Sequence, residues 1–397
     1  MKRRTFIKTT SLAAPILGTY GLKATTLPSW MPEGDQFINF DIAAAGIPAK
    51  SVADKQAYWS EKIQRSAPYE VWNANQELIR KTRAQTARLL EVGEDEIAIC
   101  RNATEGLDTI LRGIDFEEGD EIIYGRYDYP FLQNTILQLE KRFKIKGVPV
   151  KYDIAKASDE EIVDAYLSAI TKNSRLLCLT HMLNWNGRTL PVGKIIQKAK
   201  DKNVEVMLDG AQSFSHLAFS LKDLTPDYFA ACYHKWFRGP LGSGFLYVSE
   251  NKIKDLWPLH GENENLSGNI ENFQQLSTMD FPGFLSIYKG FEHLDKQVIS
   301  MRLAKRKELV NLLIDGLKNF SGLQLMLPSY DFVSGGIVSF SLDSGNPARI
   351  SKELKDQYRM LVKVIRFRDL NGLRFSISEE ISEKDVMDLI HAMKKIL

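Results

Sequence analysis

Two ionisable residues stand where neither sits comfortably alone. Asp209 closes the apolar run VEVMLD (204–209), and a lone carboxylate at the end of a buried strand is unfavourable unless a cation faces it. Lys235 comes 26 residues later, behind His234 and just past the next apolar run, YFAACY (228–233). Gly239, Gly242 and Gly244 follow and let backbone pass close by. Taken singly, Lys235 reads as a surface cation. The apolar surroundings of the HKW triplet and the carboxylate on the neighbouring strand end argue for chemistry instead. A lysine amine can condense with an aldehyde, while a carboxylate keeps a pyridine nitrogen protonated so that the ring accepts electrons. Pyridoxal 5′-phosphate (PLP) needs such a pair.

The elements around the pair can place it in one crevice. Strand and helix patterns alternate through 96–100, 104–114, 121–125, 130–143, 147–154, 158–171, 175–181, 191–202, 204–209, 228–233 and 244–249, after a helix over 54–92. Short apolar strands alternating with amphipathic helices predict an α/β fold, a mostly parallel sheet covered on both faces. Ligands of such sheets sit beyond the carboxyl ends of the strands. A long helical tract (287–318) leads to a second pattern: strands at 335–342 and 373–377, helices at 347–358 and 383–396. These form a smaller α+β C-terminal domain. Asn102-x-x-Glu105 reads as a capping-box-like start for the helix TEGLDTILRGI, whose free N–H groups suit an anion.

RNATEGLDTIL, HMLNWNGRTLPV, VEVMLDGAQ, YHKWFRGPLGSGFLYV and LRFSIS, in this order along a match that runs from about residue 38 to the C-terminus, together resemble the class V aminotransferase family of fold-type I PLP-dependent transferases. That family includes isopenicillin N epimerase-like proteins, cysteine desulfurases and serine–glyoxylate aminotransferases. The resemblance implies a large domain with a seven-stranded sheet over 56–290 and a small domain over 291–397 joined by an arm at 25–55. It makes Lys235 the Schiff-base lysine and later the proton shuttle at the substrate α-carbon. Asp209 would pair with the pyridinium nitrogen, and Gln212 and Asn184 would hydrogen-bond the ring 3-oxygen. Ala103, Thr104 and His234 would hold the phosphate, with Thr278 reaching the phosphate of the neighbouring subunit of a homodimer. Arg374 would grip the substrate α-carboxylate, for which a planar guanidinium fork is suited.

Departures from the family pattern bear on the reaction. Tyr127 stands where a histidine usually stacks on the coenzyme ring, with Tyr129 close by. A flat ring is kept there, but tyrosine titrates near 10 rather than about 6.5. Cys232 and Tyr233 precede the His-Lys pair where Ser or Asn is frequent. The stretch before Arg374 has no cysteine, which disfavours a desulfurase working through a protein persulfide. Lys363, Arg366 and Arg368 in that stretch suit either an acidic substrate side chain or a solvated face. The expected activity is transamination or epimerisation of a small amino acid. PLP-dependent C–S or β-elimination is the alternative, and a non-catalytic binding relative is the alternative of another class.

Composition sets the outer limits. The chain has 397 residues, 44% hydrophobic and 26% charged, with a net charge of +2 and no basic cluster interleaved with aromatics, so nucleic acid is not an expected partner. Cys100, Cys178 and Cys232 lie in apolar runs without metal-ligand spacing and read as structural, with no metal site. Residues 1–24 open with Arg3-Arg4, then Thr5, Phe6 and a weakly apolar stretch, the layout of a twin-arginine signal peptide. Export to the periplasm follows if that reading holds, a cytoplasmic location otherwise. The apolar stretch is too short and polar for a membrane span. A dinucleotide-dependent oxidoreductase is disfavoured, because no G-x-G-x-x-G follows the first strand.

Overall fold

A computed structural model describes residues 37–274, 278–343 and 345–397; the signal-peptide reading of 1–24 and the first part of the arm, 25–36, lie outside them. The central element is a seven-stranded sheet. Its order is Ile97–Cys100, Gly244–Val248, Tyr228–Cys232, Glu205–Asp209, Ser174–Thr180, Glu121–Gly125, Lys146–Val150. Gly244–Val248 runs antiparallel to both its neighbours, and the remaining pairs are parallel. Alternate strand residues feed two different cores. Ile99, Leu177, Leu179, Val206, Leu208 and Phe229 face one side. Ala98, Leu176, Cys178, Met207 and Ala230 face the other. Burial on both faces is why these strands read as continuous apolar runs.

Helices Ala103–Gly113 and Pro130–Phe143 cover the second side through Leu107, Ile110 and Ile136. Asp159–Ser168, Val192–Lys200 and the end of the 41-residue helix Lys50–Leu90 cover the first. The long helix departs from helical geometry at Ser66.

The smaller sheet has four antiparallel strands in the order Lys363–Phe367, Leu370–Ser376, Ile337–Leu342, Leu323–Leu325. Its core of Val338, Phe340, Leu373 and Phe375 packs on helices Lys296–Leu317, Pro347–Tyr358 and Glu383–Ile396. With Leu373 and Phe375 turned into that core, the two-residue period turns Arg374 to the opposite side, toward the crevice of the large sheet.

One expectation needs correction, and two elements have no counterpart in the sequence pattern. The helical tract 287–318 is broken: a single-turn element, Ile287–Phe291, precedes a helix that starts at Lys296. Left-handed backbone at His293 and an Asp295 side chain that accepts from the Val298 N–H impose the restart. Strand Lys363–Phe367, a hairpin partner of the Arg374 strand, was hidden by its charged residues. The apolar run 36–50 contributes only Ile38–Asn39 to a strand, beside Met360–Leu361.

The helix Lys296–Leu317 offers a test of which face is buried. Leu313 is fully buried and Met301 is 65% exposed. Leu313→Ala is expected to cost about 2–5 kcal/mol in urea unfolding, and Met301→Ala within about 0.5 kcal/mol; equal losses would reverse the assignment.

Candidate active site

Asp209, Lys235 and the start of helix Ala103–Gly113 lie where the strands of the large sheet end. Asp209 terminates its strand and pairs in register with Ala230 on the strand that leads to Lys235. Its carboxylate is buried, and one oxygen accepts the Ala211 N–H at 2.8 Å. The other has no protein donor among the described residues. Burial pushes Asp209 above the usual carboxylate value, with the Ala211 amide and the Lys235 charge pulling it back. A buried acid in this state favours a nearby proton-bearing cation. The Lys235 amine has no acceptor among the described residues.

One end of the crevice is an anion cup. Helix Ala103–Gly113 begins directly beyond strand Ile97–Cys100, capped by Asn102, whose Oδ1 accepts the Glu105 N–H at 2.9 Å. The reciprocal half of the anticipated capping box is absent, because the Glu105 carboxylate takes the Arg101 N–H and guanidinium instead. The Thr104 amide and hydroxyl have no protein acceptor among the described residues. The Ala103 N–H donates to Cys232 Sγ at 3.3 Å. Gly244 makes this close fit possible: a Cβ there would stand 2.7 Å from Asn102 Cα.

Cys232 therefore departs from the structural role read for it. Burial raises its thiol, but Lys235, His234 and the Ala103 amide outweigh burial and hold it below the ordinary value. Cys100 and Cys178 are simply pushed up by burial. His234 lies against the Ser243 carbonyl through Nδ1 at 3.1 Å, leaving Nε2 unengaged by that contact.

A short stretch, 40–49, stitches the site together. Gln212 Nε2 donates to the Ala43 carbonyl at 2.9 Å, while its Oε1 accepts from Trp236 Nε1 at 2.9 Å. That fixes the amide orientation and leaves one Nε2 hydrogen. Trp236, next to Lys235, is fully buried and stacks on His216 with ring centroids 3.6 Å apart. The Gly46 N–H donates to the His234 carbonyl at 2.8 Å. A Cβ at Gly46 would lie 2.4 Å from the Lys235 carbonyl oxygen, so only glycine permits this approach.

Arg374 enters from the small sheet. Its Nη1 donates to the Asn184 carbonyl at 2.9 Å and its Nη2 to Asp41 at 2.5 Å. The side-chain amide of Asn184 has no protein partner among the described residues. Of the two tyrosines, Tyr129 feels Asp209, Cys232 and Arg374. The Tyr127 hydroxyl donates to Asp369 at 2.8 Å, and its ring sits edge-on to Tyr152 at 6.0 Å. Thr278 is exposed, ahead of the short helix Phe281–Phe284, and no hydrogen bond links it to the cluster among the described residues.

Asp41 and Asp128 escaped the sequence reading. Asp41 left a signal, a lone acid inside the apolar FINFDIAAAG; Asp128 was masked by two flanking tyrosines.

Residues 38–364 match the family described as Aminotransferase class-V. The chain belongs to this family. Its cofactor is pyridoxal 5′-phosphate, and the residues present fit that group. A buried acid has a spare oxygen, an amine is unengaged, and an amide and hydroxyl at a helix start are open. Among relatives, a probable cysteine desulfurase of Methanothermobacter thermautotrophicus is 24% identical over 72% of this chain and 72% of its own. An isopenicillin N epimerase of Amycolatopsis lactamdurans is 23% identical over 84% and 87%. The fold matches that of the cystine C–S lyase C-DES, in complex with cysteine persulfide, with a TM-score of 0.80, 22% identity and coverage of 91% and 97%.

Asp128 gives a test of the interior beside the site. It is fully buried, accepting from Thr180 Oγ1 and the Gly125 N–H at 2.7 Å each. Burial pushes it from 3.8 up to about 7. The folded state then holds a proton the unfolded state lacks between these values, so this contribution to stability is lost as pH rises through about 7. Asp128→Asn is expected to gain on the parent across that window by at most about 1.4 kcal/mol per pH unit. A difference that stays flat from pH 4 to 8 would contradict the burial argument.

Proposed function

We propose that this family member acts on the amino group or α-carbon of a small amino acid, with Lys235 carrying the coenzyme. The observation that supports it is the placement of Asp209 and Lys235 on adjoining strand ends, with Arg374 and Tyr129 turned to the same crevice. When bound, PLP supplies an aldehyde for amine exchange and a ring that draws electrons from the α-carbon. Asp209 would hold the proton at the ring nitrogen. The Thr104 amide and hydroxyl and His234 would bind the phosphate, and the remaining Nε2 hydrogen of Gln212 and the free side-chain amide of Asn184 would serve the ring 3-oxygen. Arg374 orients the substrate through its carboxylate, which fixes the bond presented for cleavage. The Lys235 amine removes and returns the α-proton.

Tyr129, which feels the charges of Asp209, Cys232 and Arg374, rather than Tyr127, would be the aromatic group over the ring. Burial raises its hydroxyl, so it stays protonated at neutral pH and serves as a proton donor. Transamination needs Lys235 alone. Epimerisation needs a donor on the opposite face, the place we assign to Tyr129.

A second reading, C–S or β-elimination, is favoured by the desulfurases and the C–S lyase among the relatives. It proceeds here without a protein persulfide. The chain between Lys363–Phe367 and Leu370–Ser376 is a tight turn at Arg368-Asp369, pinned by Asp369 to Tyr127 and by Arg368 to Gln133 at 2.5 Å. A turn this short has no room for a mobile thiol.

A homodimer sharing its sites is part of the proposal, supported by exposed apolar side chains at Phe131, Leu241 and Trp257. So is export by the twin-arginine route, supported by Arg3-Arg4.

The test is an amino-acid screen on the coenzyme-loaded protein, following keto acid, sulfide and solvent deuterium entering the α-carbon. One of these signals is expected, with a visible band that borohydride abolishes. Lys235→Ala should lower turnover by about 10²–10⁴-fold. A protein that takes up no coenzyme, or a Lys235→Ala variant of full activity, refutes the reading.

A further inference from the structure

Arg374 is 4% exposed, and an arginine buried that deeply needs a counter-charge. The structure supplies one from the far end of the chain. Asp41 Oδ1 accepts from Arg374 Nη2 at 2.5 Å, with Asp41 itself only 21% exposed. The second anchor is a neutral carbonyl, that of Asn184. A guanidinium has five N–H groups. Two are engaged here, and Nε is buried with no partner among the described residues. Hydrogen-bonding capacity is thus held in reserve on a side chain whose direction is already set.

Asp41 is held as firmly as the arginine. Its N–H donates to Asn39 Oδ1 at 2.8 Å, and its carbonyl accepts from the Ala44 N–H at 2.9 Å. Ser376, two residues beyond Arg374 on the same strand face, accepts the Ala43 N–H through Oγ at 3.0 Å and donates its own N–H to the Phe40 carbonyl at 2.7 Å. The same few residues reach Gln212 through Ala43 and the Lys235 turn through Gly46. Asp41 therefore sits on a segment clamped both to the arginine strand and to the coenzyme lysine.

We infer that Asp41 is the positioning residue of the substrate-carboxylate subsite: it holds the Arg374 guanidinium in register with Lys235, so that amino acids are preferred over amines lacking the carboxylate. This rests on the PLP reading above. A carboxylate fixing one Nη leaves the rest of the fork for a second carboxylate, and two hydrogen bonds to one guanidinium set its plane better than one.

The experiment compares L-serine with ethanolamine, which differ by the α-carboxylate alone, on the coenzyme-loaded protein. Binding is read as the shift of the visible band. The parent should prefer L-serine. Asp41→Ala should lower that preference about tenfold or more, while ethanolamine affinity changes by less than about twofold and coenzyme uptake is unchanged. Asp41→Asn, which keeps an acceptor but not the charge, should fall between and decides the matter if the alanine variant does not fold. In an Arg374→Ala background, Asp41→Asn should have no further effect beyond about twofold. An unchanged preference in a folded Asp41 variant, an equal loss for both ligands, or a parent that does not prefer L-serine overturns the inference. Failure of the PLP reading itself shows earlier, as a parent with no visible band before any ligand is added.

Discussion

A buried acid facing a lysine across adjoining strand ends is the constraint around which this protein is organised. Asp209 has lost most of its water, and burial raises it above the usual carboxylate value, while the Ala211 amide and the positive side chain arriving from the next strand pull it back. The parallel sheet makes this pairing inexpensive. Register places Asp209 beside Ala230, and the chain needs only the turn after Cys232 to bring an amine over the crevice.

The other parts of the site are held by backbone as much as by side chains. The helix start at Ala103, the Gly46 contact with the Lys235 turn and the Asn184 carbonyl on Arg374 are all main-chain features. This explains how a chain about 23% identical to its relatives keeps the family architecture. Glycines and strand ends fix where donors stand, while side chains such as Tyr129 and Cys232 vary the chemistry offered there.

Much of this was legible in the residues. The α/β alternation followed from apolar runs buried on both faces, and Asp209 and Lys235 were found by their awkward positions at strand ends. Arg374 was found through LRFSIS. What stayed hidden was relational. Periodicity says that Tyr127 and Tyr129 share a side of an extended chain but not that the Tyr127 hydroxyl is anchored to Asp369, 242 positions away. Asp41 pairs with a residue 333 positions away, and no local pattern encodes such a distance. The hairpin strand Lys363–Phe367 is obscured because exposed Lys363 and Arg366 fall on opposite faces and break its two-residue alternation.

His216, the ring beneath Trp236, has one further consequence. Its Nε2 accepts the Gly336 N–H at 2.8 Å, so the ring hydrogen resides on Nδ1, which donates to the Gln212 carbonyl at 2.9 Å. Burial, and after it the Arg306 charge, keeps this imidazole neutral far below its usual titration. A proton added at Nε2 would set donor against donor at Gly336, the entry to the strand beside Arg374. The small sheet is thus latched to the loop after Asp209 by a histidine serving as a fixed tautomer, a structural pin.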